Sequence, residues 1–594
     1  MISTIRFRGP FRGLNLAIDS GFLGILEAEE AENIILDRGT LLKRQGFIEG
    51  LTFDGPEDGR ITGIFDYLKN DGTIITLIAS GETLYATTFD AGVWSPVPIA
   101  GSLNSGMLIS FTTVNNRVYI ANGTSFQVTD GATLFPASLP TPTVLPLQDT
   151  GVGTASLNGL YDYKFTWYSS TWGQESQAYL PSQFFTEVNS SRRLKFLENV
   201  PDDARITHQR IYRRKTSAGE SDWGFVREIP VTPAAPTPQY IEETIDVNVD
   251  PIRTVPKGTS TLSDFQFTAF QRGVLYLAGS ISFPNRLYYT RSNEPFVLQG
   301  FLEIGSGGDN DPITGLHAYQ GVLVVFKSSS IWILSGDTKE TFAFSKVFSG
   351  VGARGHFSIV NVDNLLFFLS DKGFFTFDGS EVREISEKIK PELFDRNQLL
   401  DSLCVGVHDY ERGQILWAYC GAGSTTANKI AAYYYRNSRA IEDDSWTSWR
   451  FQNDTLSYLA LVSDAGTRIK SLVFGFENGK IGVYGGDSDD GNPIPYLWRT
   501  GKQTGGLAEL KKIWDEVTVQ FRPQPVTTLL TLNYYLDDDL SAPAINFNHD
   551  MADEIFRRRV RRSSKEIRHE FQSNVSGGCE IVGWTQRAEV AKEA

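Results

Sequence analysis

Between Ile304 and Gly336 the chain reads IGSGGDNDPITGLHAYQGVLVVFKSSSIWILSG: a Gly/Asp turn, a short apolar strand, a tight turn, a β-branched and aromatic run, then Ser-Gly. Val322 to Phe326 is too apolar to face water on either side, and Ser328 to Leu334 reads as alternating in and out with period two. Short strands closed by turn residues cannot bury themselves alone, so they require a larger sheet assembly. The same pattern is rewritten several times. ITGIFDYLKNDGTIITLIASGETLYATTFDAGVWSPV from Ile61, with turns at Asn70-Asp-Gly, Ser80-Gly and Ala91-Gly, makes one unit. LISFTTVNNRVYIANGTSFQVTDGATL from Leu108 makes the next. Further units follow at FTAFQRGVLYLAGSISFPNRLYYTRS, GHFSIVNVDNLLFFLSDKGFFTFDGSEVREIS, ERGQILWAYCG to WTSWRF, and SLVFGFENGKIGVYGG. Repetition of a four-strand unit of about 40 residues is the signature of a β-propeller.

The spacing predicts an all-β chain: a β-propeller of six or seven blades, an inserted immunoglobulin- or fibronectin-III-like sandwich, and a C-terminal β-sandwich. Residues 1–50 read as an N-terminal arm, a short helix at Leu26 to Asn33 (LEAEEAEN) and a hairpin around Asp37-Arg38-Gly39. Propeller blades occupy 51–138 and 255–504, with a short helix expected at Ile389 to Phe394. Between them, 139–254 is bounded by the Pro-rich stretches Pro136 to Pro146 and Pro230 to Pro238 and carries long alternating strands, the texture of a sandwich. Residues 505–594 form the last module.

Charge and cysteine usage narrow the function. The 594 residues carry a formal net charge of -15 with a pI near 5.1. An acidic body disfavours sequence-specific nucleic-acid binding, which needs Lys and Arg on phosphates. It leaves room for a surface past which nucleic acid slides. Three cysteines, Cys404, Cys420 and Cys579, and six histidines show no metal-ligand spacing, and no cofactor is expected. MISTIRFRGPFRGLNL holds no apolar stretch of signal-peptide length, and no apolar run of 18 residues occurs, so a chain made in a reducing cytoplasm without a membrane span is expected.

Few constellations suggest chemistry. Gly308-Asp309-Asn310-Asp311 offers oxygen ligands for calcium, but Asp and Asn before Pro312 also initiate turns; Asp537-Asp538-Asp539 reads as a hairpin tip. Ser370-Asp371-Lys372-Gly373 comes near the Asp box of glycoside-cleaving propellers, one position short and unrepeated. Trp167, Trp172, Trp223, Trp446 and Trp449 suit either sugar stacking or packing. No GxSxG, P-loop or dinucleotide fingerprint occurs, and no catalytic residue is assigned. The concentrated charge feature is Arg557, Arg558, Arg559, Arg561 and Arg562, read either as a charge-protected edge strand or as a contact with an acidic neighbour or DNA. Over 551–594 nine Lys/Arg stand against seven Asp/Glu, so the remainder carries -17. Arg6, Arg8 and Arg12, set around Gly9-Pro10 and Gly13, read as a docking arm.

Several segments together resemble the tail nozzle (tail tubular protein B-like) family of short-tailed bacteriophages. They are GLNLAIDSGFLGILEAEEAENIILDRGTLLKRQGF, FPNRLYYTRS, IGSGGDNDPITGL, VLVVFKSSSIWILSG and LLFFLSDKGFFTFDG, with the fibronectin-like YKFTWYSSTWGQES and RIYRRKTSAGE. The resemblance implies a structural virion protein of the viral tail. It would form a ring, usually a homohexamer, below the portal and the head-to-tail adaptor. Tail fibres or spikes would be further partners, and double-stranded phage DNA would pass through in genome ejection without sequence-specific binding. The basic C-terminal run departs from a channel wall and is expected to meet a neighbouring protein. The competing expectation is a tail-associated propeller that binds or cleaves host-surface glycan.

Overall fold

The computed structural model describes residues 2–55, 59–103, 107–144, 147–149, 157–179, 183–190, 192–195, 199–219, 222–242, 244, 246–256, 264–305, 311–437, 444–506, 508–523, 529–550 and 553–590. The chain is all-β, and its recurring element is the expected propeller blade, a four-stranded antiparallel sheet. Among the described residues five such sheets stand alone, and two further four-strand antiparallel runs lie within larger sheets, Val405–Asp409 to Trp446–Trp449 in a ten-stranded one and Leu456–Ser463 to Phe47–Thr52 in a six-stranded one. Type I′ geometry explains the tight turns: Asn115-Asn116 and Asp363-Asn364 have positive φ at both positions, where Asn and Asp are tolerated. Val322–Lys327 is buried on both faces, as its apolar run requires.

Two expectations within the chain are corrected. Ser328 and Ser329 are turn rather than strand, because the Asp311 carboxylate accepts from the Ser328, Ser329 and Ser330 hydroxyls at 2.5, 2.8 and 2.9 Å and pins that corner. LEAEEAEN is a strand, Glu27–Glu32, and not a helix. Its glutamates each meet a cation: Glu27 with Lys388 at 3.0 Å, Glu29 with Arg568 at 3.3 Å, Glu30 with Arg499 at 3.0 Å, Glu32 with Arg450 at 3.4 Å. A helical winding would carry these carboxylates away from partners on several separate elements, so tertiary pairing overrides helix propensity. Lys390–Phe394 is the short helix expected near that position.

The chain divides into two compact units. The first comprises Met1–Ile109, Asp311–Leu334 and Phe344–Ala594. Here the strand Phe47–Thr52, which precedes every blade in sequence, pairs with Lys480–Tyr484 and supplies the fourth strand of the last blade. Ile61, Ile64 and Ile78 of the first blade share a core with Val462, Val473 and Ile481 of the last. Gly46 lets the closing strand in: a Cβ there would lie 1.8 Å from the Ser488 carbonyl oxygen. Beside it Arg44 is fully buried and uses all five donors. It donates to both Asp489 carboxylate oxygens at 2.7 Å, to Asn33 Oδ1 at 2.7 Å, and to the Gln45 and Arg450 carbonyls at 3.0 Å.

The expected N-terminal arm is not an arm. Ile2–Arg8 pairs with Glu580–Val590, and the Ile34–Asp37/Thr40–Lys43 hairpin joins the same sheet. Gly13–Leu14 and Glu27–Glu32 join the sheet that contains Tyr496–Thr500, Ile567–Ser573 and Leu529–Leu536. The two sheets enclose an aromatic core in which Phe7 stacks on Trp584 at 4.5 Å and Phe571 meets Trp584 edge-on at 4.8 Å. The C-terminal sandwich is thus built from both ends of the chain.

The second unit comprises Ser110–Asn310 and Ser335–Ala343. It holds two blades and the inserted sandwich. In the latter, the Leu157–Ser169 strand lies in a five-stranded sheet opposite a three-stranded one. Alternate residues Tyr161, Tyr163, Phe165 and Trp167 point into its core together with Leu194, Val200 and Ile211.

Two outcomes follow from buried charge. Arg44→Ala leaves the Asp489 carboxylate buried without its guanidinium and is expected to cost about 3–5 kcal/mol in urea unfolding; a loss under about 1 kcal/mol would show that the clamp is dispensable. Burial depresses His356 to about 3 and His317 to about 4, and the neutral His356 Nδ1 accepts from the Leu316 N–H. Stability from these groups is intact above pH 6.5 and falls as pH drops from 6.5 towards 4, because only the unfolded chain takes up the protons. Asp66 and Asp444, raised by burial, act in the opposite sense. The His356→Gln variant shares those carboxylates, so its unfolding midpoint is expected to fall less steeply with acid than that of the parent; equal slopes would refute the assignment.

Candidate interaction surface

The two arginine groups of the sequence meet on one sheet face in the first unit. Four strands lie side by side in the order Ile2–Arg8, Glu580–Val590, Lys512–Phe521, Ile555–Ser564. Residues directly opposite each other across strands share a face, and successive rows alternate. The row Phe7–Trp584–Val519–Phe556 is buried throughout and faces the core. The rows flanking it therefore point to solvent. On one side lies Arg8–Gly583–Gln520–Ile555, and on the other Arg6–Thr585–Thr518–Arg557. The next outward row is Thr4–Arg587–Glu516–Arg559.

One face thus presents Arg6, Arg8, Arg557, Arg559 and Arg587. With strands about 4.8 Å apart and alternate residues about 6.8 Å apart, these backbones fit in a patch about 14 Å across. Inward-row burial fixes the sheet, so the arginines are presented by a rigid frame rather than a loop. Arg557 reaches Glu516 at 3.7 Å, and Arg587 lies 4.0 Å from Asp515 and 3.5 Å from Glu589. Such exposed pairs contribute little and leave the guanidinium groups accessible. Among the described residues Arg6, Arg8 and Arg559 make no ion pair.

The other predicted arginines sit apart. Arg558 lies opposite buried Val517, but at a sheet edge its side chain curls past the rim and packs over the Phe556 ring at 5.0 Å. Arg561 occupies the bulge opposite Asp515, with φ 48, and approaches that carboxylate at 4.0 Å. Arg562 is paired in register with Trp514 and is exposed. Arg12 lies outside this sheet, where its amide donates to the Leu26 carbonyl. Arg587 escaped the sequence reading; only its alternation with Trp584, Gln586 and Ala588, all buried, marks it as outward.

The remaining candidates are occupied by structure. Trp167, Trp446 and Trp449 are fully buried, Trp172 lies beneath Arg117 at 4.1 Å, and Trp223 beneath Arg214 at 4.5 Å. Asp309 and Asn310 lie outside the described residues. Asp537 accepts from the Lys565 amide at 2.9 Å, Asp538 pairs with Lys502, and Asp539 accepts from the Ser541 amide at 2.9 Å. Among the described residues no group of three His, Cys, Asp or Glu could hold a metal ion. The three cysteines are free and buried, and burial raises each thiol.

No family model matches the chain, and no curated protein matches it. Solved structures similar to it include the Pan2 WD40 domain of Neurospora crassa, at 10% identity and TM-score 0.26, covering 75% of this chain and 95% of that one. Apo AztD from Citrobacter koseri is similar at 10% identity and TM-score 0.30, covering 82% and 99%. PorZ of Porphyromonas gingivalis is similar at 8% identity and TM-score 0.23, covering 88% and 81%. Likeness at these scores supports no inference about function. No helix among the described residues is long and apolar enough to cross a membrane.

Because the outward rows take no part in the core, the combined change Arg6→Gln, Arg8→Gln, Arg557→Gln and Arg559→Gln is expected to leave the urea midpoint unchanged. A clear drop in the midpoint would make these arginines part of the fold rather than of a contact.

Proposed function

We propose that the chain is a structural virion protein, the ring-forming tail nozzle that continues the DNA conduit below the portal and adaptor and serves genome retention and ejection. The observation that supports it best is the division of charge. A chain of net charge -15 concentrates five arginines on one rigid sheet face made from both of its ends. Over the rest of the surface acidic residues dominate, and such a surface repels phosphate and lets duplex DNA slide. The basic face, unsuited to a channel wall, serves a protein contact instead. The sequence resemblance to tail nozzles supplies the virion setting, with the adaptor above and fibres or spikes around. In that role no catalytic residue is needed, and rigidity comes from closed sheets.

Electron-microscopic class averages of the purified protein, alone and with an adaptor, test this. Rings that copurify with tail components are expected, without activity on host glycans. A chain that forms no ring and instead depolymerises surface polysaccharide would replace the conduit with a glycan-directed tail propeller.

A further inference from the structure

The nozzle reading leaves open which surfaces bring the copies together, and the charge pattern singles out a pair. We propose that the basic sheet face of one copy seats on the acidic flank of the last blade of a second copy. The inference rests on the ring-forming reading above.

The basic face carries Arg6, Arg8, Arg557, Arg559 and Arg587 around an exposed Ile555. Carboxylates stand among these arginines: Glu516 lies in register between Arg587 and Arg559, with Asp515 and Glu589 beside them. A phosphate backbone would meet those carboxylates at close range, so a polynucleotide fits this face poorly. A protein surface with a surplus of carboxylates and a few cations of its own fits it.

The last blade offers such a surface within the same unit. Lys480 Nζ is surrounded by Asp490 at 2.8 Å, Glu49 at 3.4 Å and Asp454 at 3.9 Å, so one ammonium faces three carboxylates. Asp487 is exposed nearby. The two surfaces therefore carry surpluses of opposite charge. The net charge of -15 makes two copies repel at long range, and a basic face set against an acidic one offsets that repulsion. Two different patches on one molecule give a heterologous contact, the kind that closes into rings.

Three charge variants test the contact, each first checked for an unchanged urea midpoint. Arg6→Glu, Arg557→Glu and Arg559→Glu together, or Glu49→Lys and Asp487→Lys together, are expected to raise the concentration for half-assembly by about tenfold or more, since each sets like charges against each other. All five substitutions in one chain restore opposite charges and are expected to return assembly to near the parent value. Added salt is expected to dissociate the parent rings. Rings unaffected by the arginine variant would overturn this contact while leaving the nozzle reading standing. Loss of rings without recovery in the five-substitution chain would overturn the last blade of a second copy as the occupant. Retention of duplex DNA that disappears with the arginines, with assembly untouched, would make the face a nucleic-acid contact and overturn the proposal. A parent chain that never assembles would end both readings.

Discussion

The pairing of Ile2–Arg8 with Glu580–Val590 is the constraint on which much of the first unit depends. It brings the two ends of a 594-residue chain into one sheet and places Phe7 flat on Trp584. Everything attached to that sheet inherits its register. A slip of Ile2–Arg8 by one residue would send Phe7 to solvent and Arg6 into the core, so the burial of one row fixes the exposure of the next. Surface chemistry here is a by-product of packing. The arginines face outward because the aromatics between them cannot.

Charge plays two separate roles in the same unit. Inside, Arg44 and Asp489 form a fully satisfied pair that fastens the stretch before the closing strand to the last blade, and its worth lies in the penalty for losing one member. Along Glu27–Glu32 the glutamates align with cations from two strands and a 3-10 turn, which hold a helix-forming sequence extended. Outside, the arginines on the sheet face have no comparable partners, and their energy remains available for association.

How much of this could be read from the residues depended on range. Blade strands and their turns were legible because hydrophobic runs and pairs such as Asp363-Asn364 are local signals with local causes. The inserted sandwich announced itself by alternation at Tyr161, Tyr163, Phe165 and Trp167. LEAEEAEN misled because its cations stand hundreds of residues away, at Lys388, Arg499 and Arg568. The candidate surface was half legible: both arginine groups stood out, but their union on one face depends on a register between residues more than 500 positions apart. Arg587 carried no signal beyond strand alternation.

The completion of the last blade by Phe47–Thr52 sets the order in which this protein can mature. A ribosome delivers that strand early and its partner, Lys480–Tyr484, more than 400 residues later. At synthesis rates of about 5–20 residues per second, the early segment waits for tens of seconds with an unpaired edge. An unpaired edge is a template for pairing with another chain, so the interval before the final blade emerges is when this strand is most exposed to mispairing.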